Sequence, residues 1–180
     1  HEIEPTLAGT FRGGFFTESD FTGDIHKYTR RLSEACEHHG ATFRYETDIT
    51  QLSTREEGGV AVLSRKVGSD EQPARQDFDA VVVCAGVGSR RFAAMLGDRV
   101  NIYPVKGYSI TVNLEDEASQ EGAPFVSLLD DKAKIVTSRL GRNRLRIAGT
   151  AEFAGENRDI RMARIKPLVE WCRYRFPNVS

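Results

Sequence analysis

The chain has 180 residues, 39% of them hydrophobic, with 25 basic and 26 acidic side chains that leave a net charge of −1. This balance excludes the strong positive field of a protein that binds nucleic acid or an anionic membrane. The longest apolar run, residues 80–85, is far shorter than the roughly 20 residues of a membrane-spanning helix. Three cysteines, an odd number without CxxC or metal-type spacing, predict a cytoplasmic protein with reduced thiols.

The two ends of the sequence predict a piece of a longer protein. The chain starts at His1 rather than methionine, and it stops at Ser180, directly after a predicted helix. We therefore expect that the function of a whole protein need not be a property of this piece.

The first predicted helix begins near Asp24 and ends at Gly40. Apolar or weakly polar residues recur at helical spacing on one face: Ile25, Tyr28, Leu32, Ala35, Cys36 and His39. Thr22 or Asp24 can cap its first turn, and the glycine suits its C-terminus. We expect that apolar face to be the inner one.

Several short strands are predicted after this helix. They cover Ala41–Tyr45, Ile49–Ser53 and Val60–Leu63, the last one entered through a turn at Gly58 and Gly59. Residues 64–77 are polar and predict either a loop or a third short strand that contains Arg75.

The segment Phe78–Ala85, with the sequence FDAVVVCA, is the clearest element. Its valine-rich pattern, apolar on both faces, predicts a buried parallel strand with Cys84 as a core thiol. A Gly86–Ser89 turn and a short helix over Arg90–Leu96 follow. The GxG turn can bring backbone N–H groups against a phosphate, but Arg91 occupies the third glycine position of a dinucleotide fingerprint.

The second half predicts an antiparallel sheet and one helix. The expected strands are Ser109–Leu114, Phe125–Leu129, Lys134–Arg139 and Arg144–Gly149, with turns at residues 130–131 and 141–143. The helix runs over Arg161–Phe176. Its inner face is expected to hold Ile165, Leu168, Val169, Cys172 and Phe176. The whole chain is thus predicted as α/β (α+β).

The clustered acidic residues are predicted to cap a helix or form turns, and neither they nor the histidines are predicted to form a catalytic or metal site. Glu18, Asp20 and Asp24 precede the first helix, and the pair at 130–131 lies in a turn. The neighbouring histidines at 38 and 39 diverge by about 100° around their helix. No metal site is predicted, and the residue pattern alone assigns no catalytic group.

Four stretches carry a resemblance to a known family: Gly13–Phe16 with Asp20–Asp24, Gly40–Leu52, Phe78–Gly86 and Tyr103–Thr111. Together they resemble the D-amino acid oxidase and glycine oxidase group of FAD-dependent oxidoreductases. The last stretch, YPVKGYSIT, is the most specific and resembles the D-amino acid dehydrogenase branch. The family's N-terminal GxGxxG unit is not within these 180 residues, and Ala133 stands where the family usually has a tyrosine.

This resemblance implies a division of the chain and roles for seven residues. It implies a partial FAD-binding α/β domain over 22–100, and a substrate domain over 1–21 and 101–180 whose antiparallel sheet covers the isoalloxazine ring. FAD contacts are implied at the backbone of Ile49, Ala85, Gly86 and Gly88. The implied substrate pocket is shaped by Lys106, Tyr108 and Ser109.

The implied reaction is oxidation of a D-amino acid to an imino acid, which hydrolyses to a 2-oxo acid and ammonia. The electron acceptor is left open; family members often pass electrons to quinone at the inner membrane face. Two alternatives also remain open. One is a glycine- or sarcosine-type amine oxidase, and the other is a non-catalytic ligand-binding module that self-associates through an exposed strand.

Overall fold

The computed structural model describes residues 2–179, which contain four α-helices, one short 3-10 turn and seven strands. The elements are α1 (Ile25–His38), β1 (Thr47–Thr54), β2 (Val60–Lys66), β3 (Ala74–Phe78), the 3-10 turn (Gly86–Gly88), α2 (Ser89–Met95), β4 (Lys106–Asn113), α3 (Glu117–Gly122), β5 (Leu129–Asp130), β6 (Ile135–Arg139), β7 (Arg144–Glu152) and α4 (Met162–Arg175). The predicted mixed α/β class is confirmed.

The chain divides into two compact units, at Leu32/Ser33 and at Pro104/Val105. The first, here the sheet unit, comprises residues 2–32 and 105–179 of the described chain, and the second, the hairpin unit, comprises residues 33–104. The sheet unit contains a four-stranded antiparallel sheet in the order β4-β7-β6-β5. The hairpin unit contains a three-stranded antiparallel sheet in the order β1-β2-β3.

The sheet unit is built around α4, which packs on one face of the sheet. Its inner residues Leu168, Cys172 and Phe176 are buried, as the helical spacing predicts. They pack against sheet and loop residues that are also buried: Tyr108, Leu114, Ala123, Ile135, Leu145, Ile147 and Val179. Burial raises the pKa of the Cys172 thiol to about 11, so this cysteine is a neutral core side chain at physiological pH.

The opposite side of the sheet is not covered by α4, and we call it the open face. Strand alternation and cross-strand pairing place these side chains on it: Ser109, Thr111, Val136, Ser138, Arg146 and Ala148. The sheet therefore has one apolar face against a helix and one mostly polar face.

The helix α1 forms where predicted, but its apolar face is not buried. Asp24 caps it by accepting a hydrogen bond from the Lys27 amide at 3.2 Å, and this bond lowers the pKa of the Asp24 carboxyl. Gly40 lies just beyond the helix with φ +92°, the left-handed conformation that suits a helix end. Ile25, Tyr28 and other residues of the predicted inner face are exposed.

The prediction of a buried parallel strand over 78–85 is wrong. Only Phe78 belongs to a strand, β3, and residues 79–85 belong to no helix or strand. Val82 is 84% exposed, and Cys84 is exposed rather than a core thiol. A parallel strand needs neighbours that run in the same direction, and every strand pair in residues 2–179 is antiparallel.

Two smaller strand predictions are also wrong, and one helix was not predicted. Residues 41–45 form no strand, and only Leu129 of the strand expected over 125–129 lies in a strand, β5. The helix α3 was not predicted, although Asp116 caps it by accepting a hydrogen bond from the Ser119 amide at 2.7 Å. That Asp-x-x-Ser spacing is the local signal for α3, because an aspartate at this position satisfies a free amide of the first turn.

Candidate functional site

The four predicted FAD-contact residues all lie in the hairpin unit. Ile49 is half-buried in β1, and Ala85 precedes the 3-10 turn that contains Gly86 and Gly88. The structure therefore places them on two elements, an edge strand and a turn that leads into α2.

The turn at 86–88 presents backbone rather than side-chain groups. Gly86 has φ +54°, which favours glycine, and a Cβ at this position would meet nothing within 4 Å. The Gly88 amide donates to the Ala85 carbonyl at 3.0 Å, and no side chain caps the turn or α2. The earliest amides of such a turn have no partner within it, so they are available to an anion.

Arg91 connects this turn to the predicted adenine-contact strand. Its Nη2 donates to the Ile49 carbonyl oxygen at 2.6 Å and lies 3.7 Å from Asp48 Oδ1. Because β1 is an edge strand, part of its backbone has no partner in the sheet, and Arg91 satisfies one such group. Arg91, which occupies the third-glycine position, thus links β1 to the start of α2, a contact that the sequence did not show.

These backbone positions fit part of an FAD site. An accessible glycine turn suits a phosphate, and an edge strand suits hydrogen bonds to a planar base. Main-chain atoms are what the structure offers to FAD at the four predicted positions, Ile49, Ala85, Gly86 and Gly88.

The three predicted substrate-pocket residues lie at the start of β4, on two different faces. Tyr108 is buried on the α4 side, where Lys106 is half-buried. Ser109 is exposed on the open face, where its Oγ accepts a hydrogen bond from Arg146 Nη2 at 3.3 Å. Only Ser109 of the three can therefore face a ligand on the open side of the sheet.

Lys106 and Tyr108 meet at a carboxylate that the sequence analysis missed. Glu152, at the end of β7, is only 4% exposed. Tyr108 Oη donates to Glu152 Oε2 at 2.5 Å, and Lys106 Nζ lies 3.2 Å from the same oxygen. Arg161 Nη1 forms an ion pair with Oε1 at 2.6 Å, and Lys106 also donates to the Asp159 carbonyl at 2.8 Å. We call these residues the Glu152 cluster.

The cluster favours the charged forms of Glu152 and Lys106. The hydrogen bond from Tyr108, helped by Lys106 and Arg161, lowers the pKa of Glu152. Burial acts to lower the pKa of Lys106, but its bonds to Tyr108 and Glu152 outweigh burial and raise it. The cluster therefore ties the start of β4, the end of β7 and the segment before α4 together by charge.

Replacing Glu152 by glutamine should lower the melting temperature of the chain by about 5 °C at pH 7, because two cations lose their anion. The pKa of Glu152 is lower in the folded protein than in the unfolded chain, where it is near 4.5. Its carboxylate therefore stabilises the fold at pH values above 4.5. This stabilisation is lost as the pH falls through the folded-state pKa. Melting curves from pH 7 to pH 3 should therefore converge for wild type and E152Q. The exposed Glu156→Gln is the matched control, and an equal loss in E156Q would contradict the role of the cluster.

Asp130, from the acidic pair at residues 130–131, has a structural role. Asp130 accepts hydrogen bonds from the Ala133 amide and from Trp171 Nε1, both at 2.9 Å, and these bonds lower the pKa of Asp130. Arg175 Nη2 lies 3.6 Å from the same carboxylate. Asp130 thus anchors a turn to α4, in agreement with the turn role predicted for it.

Among residues 2–179, no group of three or more His, Cys, Asp or Glu side chains is arranged to hold a metal ion. In the same residues, no helix has the length and hydropathy needed to cross a membrane.

The family model described as FAD dependent oxidoreductase (DAO) matches residues 1–180. The chain is 55% identical over 178 residues to D-amino acid dehydrogenase 3 of Mesorhizobium japonicum, covering 99% of this chain and 42% of that protein. It is 42% identical over 182 residues to a D-amino acid dehydrogenase of Dechloromonas aromatica, with the same two coverages. A D-amino acid dehydrogenase of Paramagnetospirillum magneticum is 39% identical over 179 residues, or 98% of this chain and 40% of the relative. The chain thus spans about two fifths of the length of these relatives.

Proposed function

Because this chain belongs to the DAO family of FAD-dependent oxidoreductases, we propose that it is a portion of a D-amino acid dehydrogenase, an enzyme that oxidatively deaminates D-amino acids. The observation that carries this proposal is the identity of more than half of its residues to the Mesorhizobium D-amino acid dehydrogenase 3, across almost the whole chain. The YPVKGYSIT stretch, whose residues 106–111 lie in β4, supports the same branch of the family.

The reaction removes a hydride from the α-carbon and a proton from the amino nitrogen of the substrate, which gives an imino acid. Water then adds to the imine carbon and ammonia leaves, which gives a 2-oxo acid. When bound, FAD supplies the hydride acceptor. The residues of this chain bind and orient, and none is assigned a proton-transfer step.

Residues 22–100 are assigned to the FAD-binding domain, and residues 1–21 and 101–180 to the substrate domain. Main-chain atoms at Ile49, Ala85, Gly86 and Gly88 are assigned to FAD, supported by the accessible glycine turn and the edge strand. This mode of contact tolerates side-chain changes, as long as the glycine at φ +54° is kept.

Lys106, Tyr108 and Ser109 are assigned to the substrate pocket in two different roles. Ser109 faces the open side and can contact substrate directly. Lys106 and Tyr108 are positioning residues, because their polar atoms are engaged by the Glu152 cluster. They fix where β4 lies against β7, and through it the position of the serine.

The test is turnover by the full-length protein that contains this chain, loaded with FAD and given an artificial dye as acceptor. We expect dye reduction with D-alanine and none with L-alanine, which controls for non-specific amine oxidation. Glycine and sarcosine should be poorer substrates than D-alanine. A preference for glycine or sarcosine with release of hydrogen peroxide would contradict the proposal and favour an amine oxidase.

A further inference from the structure

The outer edge of β4 carries backbone groups that no other strand of residues 2–179 pairs. Antiparallel strands bond at alternate residues, and the Leu114 amide, directly after β4, donates to the Asn143 carbonyl, directly before β7, at 2.8 Å. By this alternation, the residues whose amides point to β7, here the inner residues, are Tyr108, Ile110 and Val112. The residues whose amides and carbonyls point to the free edge, here the outer residues, are Ser109, Thr111 and Asn113.

The sequence of β4 does not protect this edge. Folded proteins avoid edge-to-edge association through short edge strands, bulges, prolines or charged side chains. Residues 107–113 read GYSITVN, with neither a charge nor a proline, and three consecutive residues are β-branched. The charge of Lys106, at the start of β4, is engaged by the Glu152 cluster. The bulge beside Gly107 places its extra residue in β7, so residues 108–113 form a regular edge.

The other sheet edges of the described chain each carry such protection. The strand β5 has only two residues. The strand β3 carries the charged side chains of Arg75 and Asp77. The strand β1 is irregular between Ile49 and Gln51, and Arg91 binds its backbone there. The bare edge of β4 is the exception, and a long regular strand without protection is typical of a strand that is paired on both sides.

The apolar side of the sheet is also incomplete at β4. On the α4 side, Leu145 and Ile147 of β7 are fully buried. Their direct neighbours on β4, Val112 and Ile110, pack against the same core but are only half-buried. A further strand beside β4 would cover these two side chains and bond the outer residues at the same time.

We propose that the free edge of β4 pairs with an extended segment of the full-length protein that lies outside these 180 residues, which gives the sheet a fifth strand. Main-chain hydrogen bonds to the outer residues hold such a strand in place. The relatives have the length to supply it, since this chain spans about two fifths of theirs. Alternation fixes its chemistry: apolar side chains beside Ile110 and Val112, and polar side chains beside Ser109 and Thr111. The inference rests on the proposed function only in that the chain is a portion of a longer protein.

The test is amide hydrogen exchange of the full-length protein, followed residue by residue by nuclear magnetic resonance. The inner residues bond β7 whether or not the edge is covered, so they are controls within the same strand. If a strand covers the edge, the outer residues should exchange as slowly as the inner ones, at least about 100-fold more slowly than an unstructured peptide. An alternating pattern, with slow inner and fast outer residues, would overturn the inference. Neither result depends on turnover of any substrate, so a failure here leaves the proposed function standing.

Two further measurements identify what covers the edge. Couplings through hydrogen bonds should connect the outer amides to carbonyls of alternate residues in one segment outside residues 1–180, which is the pattern of a strand. The slow exchange should also persist at dilutions where light scattering shows a monomer. Slow exchange that is lost when a dimer dissociates would place a second copy on the edge and overturn the inference. Outer amides without couplings to such carbonyls would overturn it as well.

Discussion

Replacing Leu168 by alanine is expected to lower the free energy of unfolding of the sheet unit by about 2–5 kcal/mol. Leu168 is fully buried on α4, where its side chain faces Gly149 of β7. A methyl group built on Gly149 of β7 would come within 3.2 Å of its Cδ2, so the leucine packs directly against the strand backbone. Removing the side chain leaves a cavity that this rigid contact cannot close.

The measurement is urea unfolding followed by circular dichroism, with Leu129→Ala as the matched control. Leu129 is also a leucine of the sheet unit, on β5, but its side chain is 67% exposed. L129A should change the free energy of unfolding by less than about 0.5 kcal/mol. Similar losses in the two variants would show that α4 does not pack on the sheet as described.

The helix α4 and its inner face could be predicted because both depend on local spacing. Leu168, Cys172 and Phe176 follow a helical period, and a helix with such a face needs a surface to cover. The role of Gly149 could not be predicted. A Cβ there would come 2.9 Å from the Lys134 carbonyl oxygen and from Ile135 Cγ1, a close approach of separate strands that leaves no local pattern.

The candidate site likewise has features that local sequence predicts and one that it does not. Strand alternation is local, so opposite faces for Tyr108 and Ser109 follow from the sequence once β4 is recognised. Glu152 was missed because a bulge shifts the alternation of β7: Gly107 pairs with Ala151, but Tyr108 pairs with Gly149. The extra residue, Thr150, has φ +55°, which is rare for a β-branched side chain. The bulge turns Glu152 rather than its neighbour toward Tyr108.

The second large expected effect is on stability, from a substitution in the exposed valine run at residues 81–83. A run that is apolar on both faces is typical of a strand covered on both sides, yet Val82 is 84% exposed in the described chain. Since the chain spans about two fifths of the length of its relatives, we expect other parts of a full-length protein to cover this run. Val82→Asp should then leave the melting temperature of the 180-residue chain unchanged, but destabilise the full-length protein by about 3 kcal/mol or more, because it buries an unpaired charge.

Val62→Asp is the matched control in the same unit. Val62 is 8% exposed in β2, so V62D should destabilise both the 180-residue chain and the full-length protein. Thermal melting of the four proteins against their parents separates the possibilities. A V82D chain that melts as low as V62D would contradict the exposure of residues 81–83. A full-length V82D protein as stable as its parent would mean that nothing outside the chain covers the valine run, and the sequence pattern would then have predicted a buried strand that does not exist in either context.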